Sequence, residues 1–268
     1  MHMYKDFYRL RERPFSKTPD PRFLYLSKGH REALARLQYV IEEREMALLT
    51  GEIGCGKTTL SRALMDSMGD SCRFCFIVNP RLNALEFLRS IARSLLPTPP
   101  AEEKEGLLNQ IADALYMLHN EGVCPVVIID EAQLISEGEI FDEIRLLTNY
   151  QLDDMNLLSV ILMGQPELRN MLANPRFEPL KQRITMHYHL APLEMDDILD
   201  YLDYRLEVAG GASGLFTPDA VQRIFELSGG VPRRINLLAT NAILEGYGRD
   251  AAMLDGAIID SVASELLI

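Results

Sequence analysis

The feature that most constrains this chain is a glycine-rich loop between a predicted strand and a predicted helix. The loop begins at Gly51 and follows the pattern Gly-x-x-x-x-Gly-Lys-Thr, ending with Gly56, Lys57 and Thr58. The apolar run 46–50 before it has the length of a buried strand, and the spacing of apolar residues after it predicts a helix. A chance glycine turn would lack these flanking elements, so the motif indicates a phosphate-binding loop.

Elementary chemistry assigns a role to each part of this loop. Glycines let backbone N–H groups turn toward phosphate oxygens, and the N-terminus of the following helix adds a partial positive charge. We expect Lys57 to reach the β- and γ-phosphates of a nucleoside triphosphate, and the Thr58 hydroxyl to bind Mg²⁺. The predicted nucleotide-binding residues are Gly51, Glu52, Ile53, Gly54, Cys55, Gly56, Lys57, Thr58 and Thr59.

A second motif is a pair of carboxylates, Asp130 and Glu131, at the end of the apolar run 126–129. Ligands of open α/β sheets bind at the C-terminal ends of the strands. We expect Asp130 to contact Mg²⁺ through water and Glu131 to orient or deprotonate the water that attacks the γ-phosphate. The alternative is a helix cap with a neighbouring acid.

Hydrophobic periodicity predicts an α/β fold with a five-stranded parallel sheet, followed by a small helical domain. Alternating strands and helices imply a parallel sheet with helices on both faces. After Pro192 the pattern is helical only. Within the core, Asn83 with Glu86 predicts a capping box at the start of one helix. Strands are expected at 46–50, 74–79, 125–130, 157–163 and 184–190, and the last four helices at 194–208, 218–228, 232–247 and 255–266. The predicted domains are an arm at 1–31, a core at 32–192 and a helical domain at 193–268.

Charge and composition exclude several classes of protein. The chain has 27 Lys and Arg against 39 Asp and Glu, a net charge of −12, which argues against indiscriminate coating of nucleic acid. Residues 1–31 nevertheless carry a net charge of +5. No apolar run approaches the roughly 20 residues that span a bilayer, and the start resembles no secretory signal. We therefore expect a cytoplasmic protein that does not insert into the membrane itself.

The cysteines suggest packing rather than metal binding. Cys72 and Cys75 have the spacing of half a zinc site, but no second pair matches them. They open an apolar segment, which favours a buried strand. Cys55 lies inside the glycine loop, where packing of a small residue is favoured over a role in oxidation.

One predicted strand separates the glycine loop from the acidic pair, and a glutamate follows the aspartate. In both respects the chain resembles the additional-strand, catalytic-glutamate NTPases. The helical tail after Pro192 resembles the lid of the AAA+ ATPases, so the resemblance covers nearly the whole chain. It implies an enzyme that hydrolyses ATP with Mg²⁺ at interfaces between identical subunits.

The AAA+ resemblance also implies roles for three further residues. Gln165, after the strand that follows the acidic pair, matches a first sensor, although it could be only a turn amide. Arg183 matches an arginine finger that acts on a neighbouring subunit, with Arg176 as second candidate and a plain surface arginine as the alternative. Arg233, in Gly229-Gly230-Val231-Pro232-Arg233, resembles a second sensor, and the alternative is a solvated basic turn.

The N-terminal arm narrows the resemblance further. Its aromatic residues and prolines, together with Gly164-Gln165-Pro166-Glu167-Leu168, look like the ExeA (GspA-type) ATPases of bacterial type II secretion and related envelope systems. This implies a homo-oligomer that serves an inner-membrane secretion or envelope-assembly protein, at the inner face of the cytoplasmic membrane. Two alternatives stay open: a DNA-binding transposition ATPase like TnsC, TniB or MuB, and a nucleotide-dependent scaffold with negligible turnover. The arm itself could form part of an adenine pocket or belong to a core.

Overall fold

The computed structural model describes residues 3–16, 20–136, 138–152 and 155–267. Within these residues strands and helices are interspersed up to Leu190, and only helices follow. The strands are β1 (Met46–Gly51), β2 (Cys72–Ile77), β3 (Cys124–Ile129), β4 (Gln151–Leu152), β5 (Met155–Asn156), β6 (Ser159–Gly164) and β7 (Ile184–Leu190). The helices are α1 (Met3–Phe7), α2 (Lys28–Glu42), α3 (Lys57–Met68), α4 (Ala84–Leu95), α5 (Lys104–Asn120), α6 (Gly138–Leu147), α7 (Pro166–Leu172), α8 (Glu178–Lys181), α9 (Met195–Val208), α10 (Pro218–Ser228), α11 (Pro232–Gly248) and α12 (Gly256–Leu266).

The main sheet has five parallel strands in the order β2-β3-β6-β1-β7. Every residue of β1 and β6 is buried, as expected for central strands covered on both faces. Since β6 lies between β1 and β3, the C-terminal ends of these three strands meet at one edge of the sheet. The predicted fold class, an α/β fold with a five-stranded parallel sheet and a helical region after it, is confirmed.

The five predicted strands and the last four predicted helices are present, and their ends differ from the prediction by at most two residues. The capping box at α4 is present: the Asn83 side chain accepts from Glu86 N, and the Glu86 side chain accepts from Asn83 N. β2 begins two residues earlier than predicted. Thr217 is the N-cap residue of α10, and its hydroxyl donates to Leu254 O at 3.1 Å. The β4–β5 hairpin was not predicted because two-residue strands leave no periodicity.

The chain divides into two compact units. The sheet unit comprises 31–51 and 61–190, and the helical unit comprises 1–30, 52–60 and 191–268. The core of the sheet unit joins strand residues such as Val127 and Leu162 to helix residues such as Phe87 and Phe141. Among the described residues, no helix combines the length and the apolar character needed to cross a membrane.

The N-terminal arm supplies part of the core of the helical unit. Leu10, Phe15 and Phe23 are buried with apolar residues of α9, α10, α11 and α12. Arg205 is also buried, donates to Pro14 O at 2.8 Å, and lies over the Phe15 and Phe23 rings. These contacts favour the core-packing alternative for the two phenylalanines of the arm.

Candidate functional site

The glycine loop follows β1 directly and depends on glycine at three positions. A side chain on Gly51 would place its Cβ 2.6 Å from Leu190 O, so the close pairing of β1 with β7 requires glycine there. Gly54 and Gly56 have φ of +90° and +98°, a region that L side chains rarely adopt. The loop then enters α3 at Lys57. The first N–H groups of this helix therefore lie at the end of the loop.

Lys57 is buried against the loop that precedes it. Its side chain is 6% exposed, and Nζ donates to Glu52 O at 3.1 Å. The loop also closes on itself through the bond from Cys55 N to Glu52 O. A lysine ammonium, a helix N-terminus and glycine backbone form a donor set that suits phosphate oxygens.

His30 supports the loop from the N-terminal side and was not predicted as a site residue. Its Nε2 lies 3.1 Å from Cys55 O and its Nδ1 lies 2.8 Å from Ser27 Oγ. Because a carbonyl only accepts, Nε2 carries the proton and Nδ1 accepts from the serine hydroxyl. Burial lowers the pKa of His30, which favours this neutral form. The signal in the sequence is Ser-x-x-His at the start of α2, but this local pattern does not reveal that His30 contacts Cys55.

Arg233 is placed beside the same loop by the start of α11. Its backbone N donates to Gly54 O at 3.3 Å. A side chain on Gly54 would place its Cβ 2.6 Å from the Arg233 Cβ. The helical unit therefore contains the loop from Glu52 to Leu60, His30 and the predicted second-sensor arginine.

The acidic pair lies at the end of β3, in the sheet unit. Asp130 is buried, and its Oδ1 accepts from Glu131 N at 2.9 Å. Glu131 has φ 51° and ψ 38°, a left-handed conformation that is strained for a residue other than glycine. A short 3₁₀ turn, Ala132–Leu134, follows, but the Glu131 side chain makes no capping bond to it in the described chain. The Glu131 side chain therefore does not cap this turn.

Two glutamines hold the Glu131 carboxylate. Gln165 follows β6, the neighbour of β3, and its Nε2 donates to Glu131 Oε2 at 3.2 Å. Gln133 Nε2 donates to the same oxygen at 2.5 Å, and Gln133 Oε1 accepts from Gln165 N at 3.1 Å. Gly164 permits this arrangement, since a Cβ there would lie 2.5 Å from Gln133 Oε1. Gln165 is thus engaged with the carboxylate, and Gln133 is a residue that the sequence analysis missed.

The two arginine-finger candidates have different surroundings. Arg183 Nη1 donates to Thr148 O and Thr148 Oγ1, each at 3.1 Å, and its Nη2 donates to Asn149 Oδ1. The Arg176 side chain is 60% exposed, with Asp142 Oδ2 at 4.0 Å and the Phe177 ring beneath its guanidinium. Arg183 is therefore fixed to the C-terminal end of α6, whereas Arg176 remains at the surface.

Comparison with known proteins finds a family model and a curated relative that are similar to this chain. A family model for the AAA domain matches residues 40–172. The chain is 40% identical over 266 residues to General secretion pathway protein A of Aeromonas hydrophila; the match covers 98% of this chain but 48% of that protein. The chain thus spans about half the length of this curated relative.

Solved structures share the fold at low identity. The Aeropyrum pernix ORC2 protein has a TM-score of 0.69 at 18% identity, covering 95% of this chain and 71% of that chain. The Drosophila ORC structure bound to DNA has a TM-score of 0.74 at 14% identity, covering 99% and 66%. The Thermotoga maritima RuvB branch-migration motor has a TM-score of 0.61 at 15% identity, covering 90% and 67%. The chain therefore contains an AAA domain, and over nearly its whole length it is similar to an AAA+ protein of the general secretion pathway protein A (ExeA/GspA) type.

Proposed function

We propose that this chain binds Mg·ATP and hydrolyses it by in-line attack of water on the γ-phosphate. The observation that carries the proposal is the Glu131 carboxylate, which two amides hold at the end of β3. β3 is separated from β1, whose end opens the phosphate loop, by β6 alone. A strained glutamate with two dedicated donors is an arrangement that a packing role does not need.

In this proposal the loop residues 51–59 bind the triphosphate. Lys57 neutralises charge on the β- and γ-phosphates, and the backbone N–H groups around Gly56 and at the start of α3 donate to phosphate oxygens. The residues that would hold Mg²⁺ are Thr58 directly and Asp130 through water; a hydroxyl and a carboxylate are ligands that suit this ion. When bound, Mg²⁺ neutralises charge that develops on the phosphates.

Glu131 acts as the general base. Both amides donate to Oε2, so we assign Oε1 as the oxygen that takes the proton from the attacking water. Gln165 then has two roles: its side chain orients the base, and its position at the end of β6 lets it respond to the nucleotide. A carboxylate with one oxygen fixed loses little rotational freedom when it aligns the water.

The two arginines connect hydrolysis to assembly. Arg233 would contact the γ-phosphate from the lid, so that loss of this phosphate would change the conformation of the lid. Arg183 would act as a finger on the nucleotide of a neighbouring identical subunit, because a planar, permanently charged guanidinium stabilises charge on a transferring phosphoryl group. We propose that these roles are divided among an arm at 1–31, a core at 32–192 and a lid at 193–268. We also propose that the active unit is a homo-oligomer.

We further propose that the ATPase cycle drives assembly or remodelling of a secretion or envelope complex at the cytoplasmic face of the inner membrane. The support is the 40% identity to General secretion pathway protein A, a similarity that extends over 98% of this chain. The partner would then be an inner-membrane secretion or envelope-assembly protein.

Phosphate release and nucleotide binding, measured separately, test the enzymatic proposal. Wild-type protein should release phosphate from Mg·ATP, Glu131→Gln should bind ATP with little release, and Lys57→Ala should lose ATP affinity. Phosphate release by Glu131→Gln at the wild-type rate would contradict the assignment of Glu131 as the general base. Binding without release by the wild type at any protein concentration would establish a scaffold instead, and DNA binding that weakens steeply with salt would favour the transposition class.

A further inference from the structure

A pair of cysteines in the sheet unit forms a chemical site that the ATPase proposal does not use. Cys72 begins β2 and Cys124 begins β3, and the two are direct partners in the parallel register. Cys75 lies three residues after Cys72 on the same strand, so its side chain points to the opposite face. There its Sγ lies 3.8 Å from Ser90 O, on α4. Cys72 and Cys75 are therefore close in sequence but lie on opposite faces of the sheet. The cysteine beside Cys72 in space is Cys124.

The backbone geometry of this pair is compatible with a disulfide. Directly opposed residues of neighbouring strands have Cα atoms about 4.8 Å apart, within the range of about 4.4–6.8 Å that a disulfide spans. Both thiols are free in the structure. No adjustment of register is required for them to join.

The surroundings give the two thiols different reactivity. The neighbouring Cys124 thiol, the Ser71 hydroxyl and the positive charge of Arg44 lower the pKa of Cys72, although burial acts in the opposite direction. The neighbouring Cys72 raises the pKa of Cys124, and burial adds to the effect. The Cys124 thiol itself donates to Ile41 O at 3.4 Å. Cys72 is thus the better thiolate, and Cys124 keeps its proton.

Arg44 is held near the pair by its own contacts. It lies in the turn between α2 and β1 with φ 53°, and its Nη1 is 2.9 Å from His119 Nδ1. Cys72 is itself only 9% exposed, whereas Cys55 and Cys75 are 0% and 1% exposed, and burial raises the pKa of each of these two. Among the described residues, no group of three His, Cys, Asp or Glu side chains could hold a metal ion. Thiol oxidation therefore suits the pair better than metal binding.

We propose that Cys72 and Cys124 form a peroxide-reactive dithiol that closes reversibly to a disulfide between β2 and β3. The Cys72 thiolate attacks a peroxide oxygen: an S–O bond forms, the O–O bond breaks, and the leaving hydroxide takes a proton to become water. The Cys124 thiol then loses its proton and attacks the Cys72 sulfenic acid, so that an S–S bond forms and a second water leaves. Two thiols and one hydrogen peroxide give one disulfide and two waters, and a dithiol reductant reverses the change.

Peptide mapping without reduction tests this proposal on the whole chain. After treatment with hydrogen peroxide and blocking of free thiols, we expect a linked peptide pair containing Cys72 and Cys124, which disappears on treatment with dithiothreitol. Cys124→Ser should instead accumulate sulfenic acid at Cys72, detectable with dimedone. Cys75→Ser should retain the linked pair. Oxidation of Cys55 or Cys75 as fast as Cys72, or sulfinic acid at Cys72 with Cys124 still reduced, would overturn the proposal.

A variant without the positive charge of Arg44 tests whether this charge favours the Cys72 thiolate. Arg44→Gln should slow the loss of the Cys72 thiol by roughly three- to tenfold, because it removes a charge that favours the thiolate. Arg73→Gln is the matched control, since Arg73 is exposed on the adjacent position of β2 and should leave the rate within about twofold of the wild type. Equal rates for both variants would contradict the role of Arg44. The mapping on unsubstituted protein is decisive even if a variant folds poorly.

Discussion

Gln165 lies 34 positions after Glu131 in the chain, and its side-chain amide donates a 3.2 Å hydrogen bond to the carboxylate of that glutamate. The contact exists because β3 and β6 are neighbours and both end at the same edge of the sheet. Gln133 completes the arrangement by bonding to both residues. The orientation of the proposed base therefore depends on two amides from separate parts of the chain.

Removal of the side-chain amide of Gln133 or Gln165 should slow ATP hydrolysis more than it weakens ATP binding. For Gln133→Ala and Gln165→Ala we expect kcat to fall about 10- to 100-fold, because a base displaced by about 1 Å loses alignment with the water. The affinity for ATP, measured by equilibrium binding without turnover, should change little. Gln151→Ala serves as control, since Gln151 bonds to Asn156 in the exposed β4–β5 hairpin. Unchanged kcat in both variants would show that the amides do not position Glu131.

The finger candidates can be separated by combining turnover with thermal stability. Arg183→Ala should lose turnover and also lower the melting temperature, because it removes the bonds to Thr148 and Asn149. Arg176→Ala, at a 60% exposed side chain, should leave the melting temperature unchanged. Mixing Arg183→Ala with Glu131→Gln subunits should restore some turnover at hybrid interfaces. Recovery in mixtures with Arg176→Ala but never with Arg183→Ala would transfer the role to Arg176.

The loop geometry predicts a strong effect at Gly54. Gly54→Ala would place a Cβ 2.6 Å from the Arg233 Cβ, at a φ of +90°. Strain of roughly 1–3 kcal/mol should then weaken ATP binding about 5- to 150-fold. Gly69→Ala is the matched control: its φ is also positive, at +52°, but nothing lies within 4 Å of the added Cβ. Affinity is checked by titration with a fluorescent ATP analogue. Equal affinities for both variants would contradict the close approach of Arg233.

His30 makes stability depend on pH. Its pKa in the folded chain is lowered by burial from the ordinary value of about 6.5, so below that pH the unfolded chain binds more protons than the folded chain. Stability should therefore be complete above about pH 6.5 and fall as the pH drops through the unfolded value. We expect the melting temperature to decrease between pH 7.5 and pH 5.5, and less so in His30→Gln.

His187→Gln is the comparison for this experiment. Partial desolvation and the positive charge of Arg169 also lower the pKa of His187, but this residue is exposed overall, so its share of the pH dependence should be smaller. A pH profile of His30→Gln that matches the wild type would show that the histidine is not a buried neutral group.

Local sequence patterns were sufficient for most of the fold. β1, β3 and β6 are runs of six residues that are buried throughout or at all but one position, and such runs are recognisable without knowledge of their neighbours. The capping box at Asn83 involves residues three apart, so it is also local. Local patterns do not determine the order of the strands, because pairing is decided by contacts between distant segments.

The contacts that the sequence did not predict are mostly between distant segments. His30 reaches the carbonyl of Cys55, 25 positions away, and Gln133 reaches the backbone of Gln165, 32 positions away. Cys72 and Cys124 face each other only because β2 pairs with β3. In each case the residue type was visible in the sequence, but its partner is fixed by the topology of the sheet or of the loop.

The left-handed backbone of Glu131 implies that stability and turnover oppose each other at this position. Glycine adopts this conformation without the cost of roughly 1–2 kcal/mol that other residues incur. A Glu131→Gly enzyme should therefore have a higher melting temperature than the natural protein but be unable to activate the attacking water. A search for thermostable variants of this chain would select that inactive change unless activity were screened at the same time.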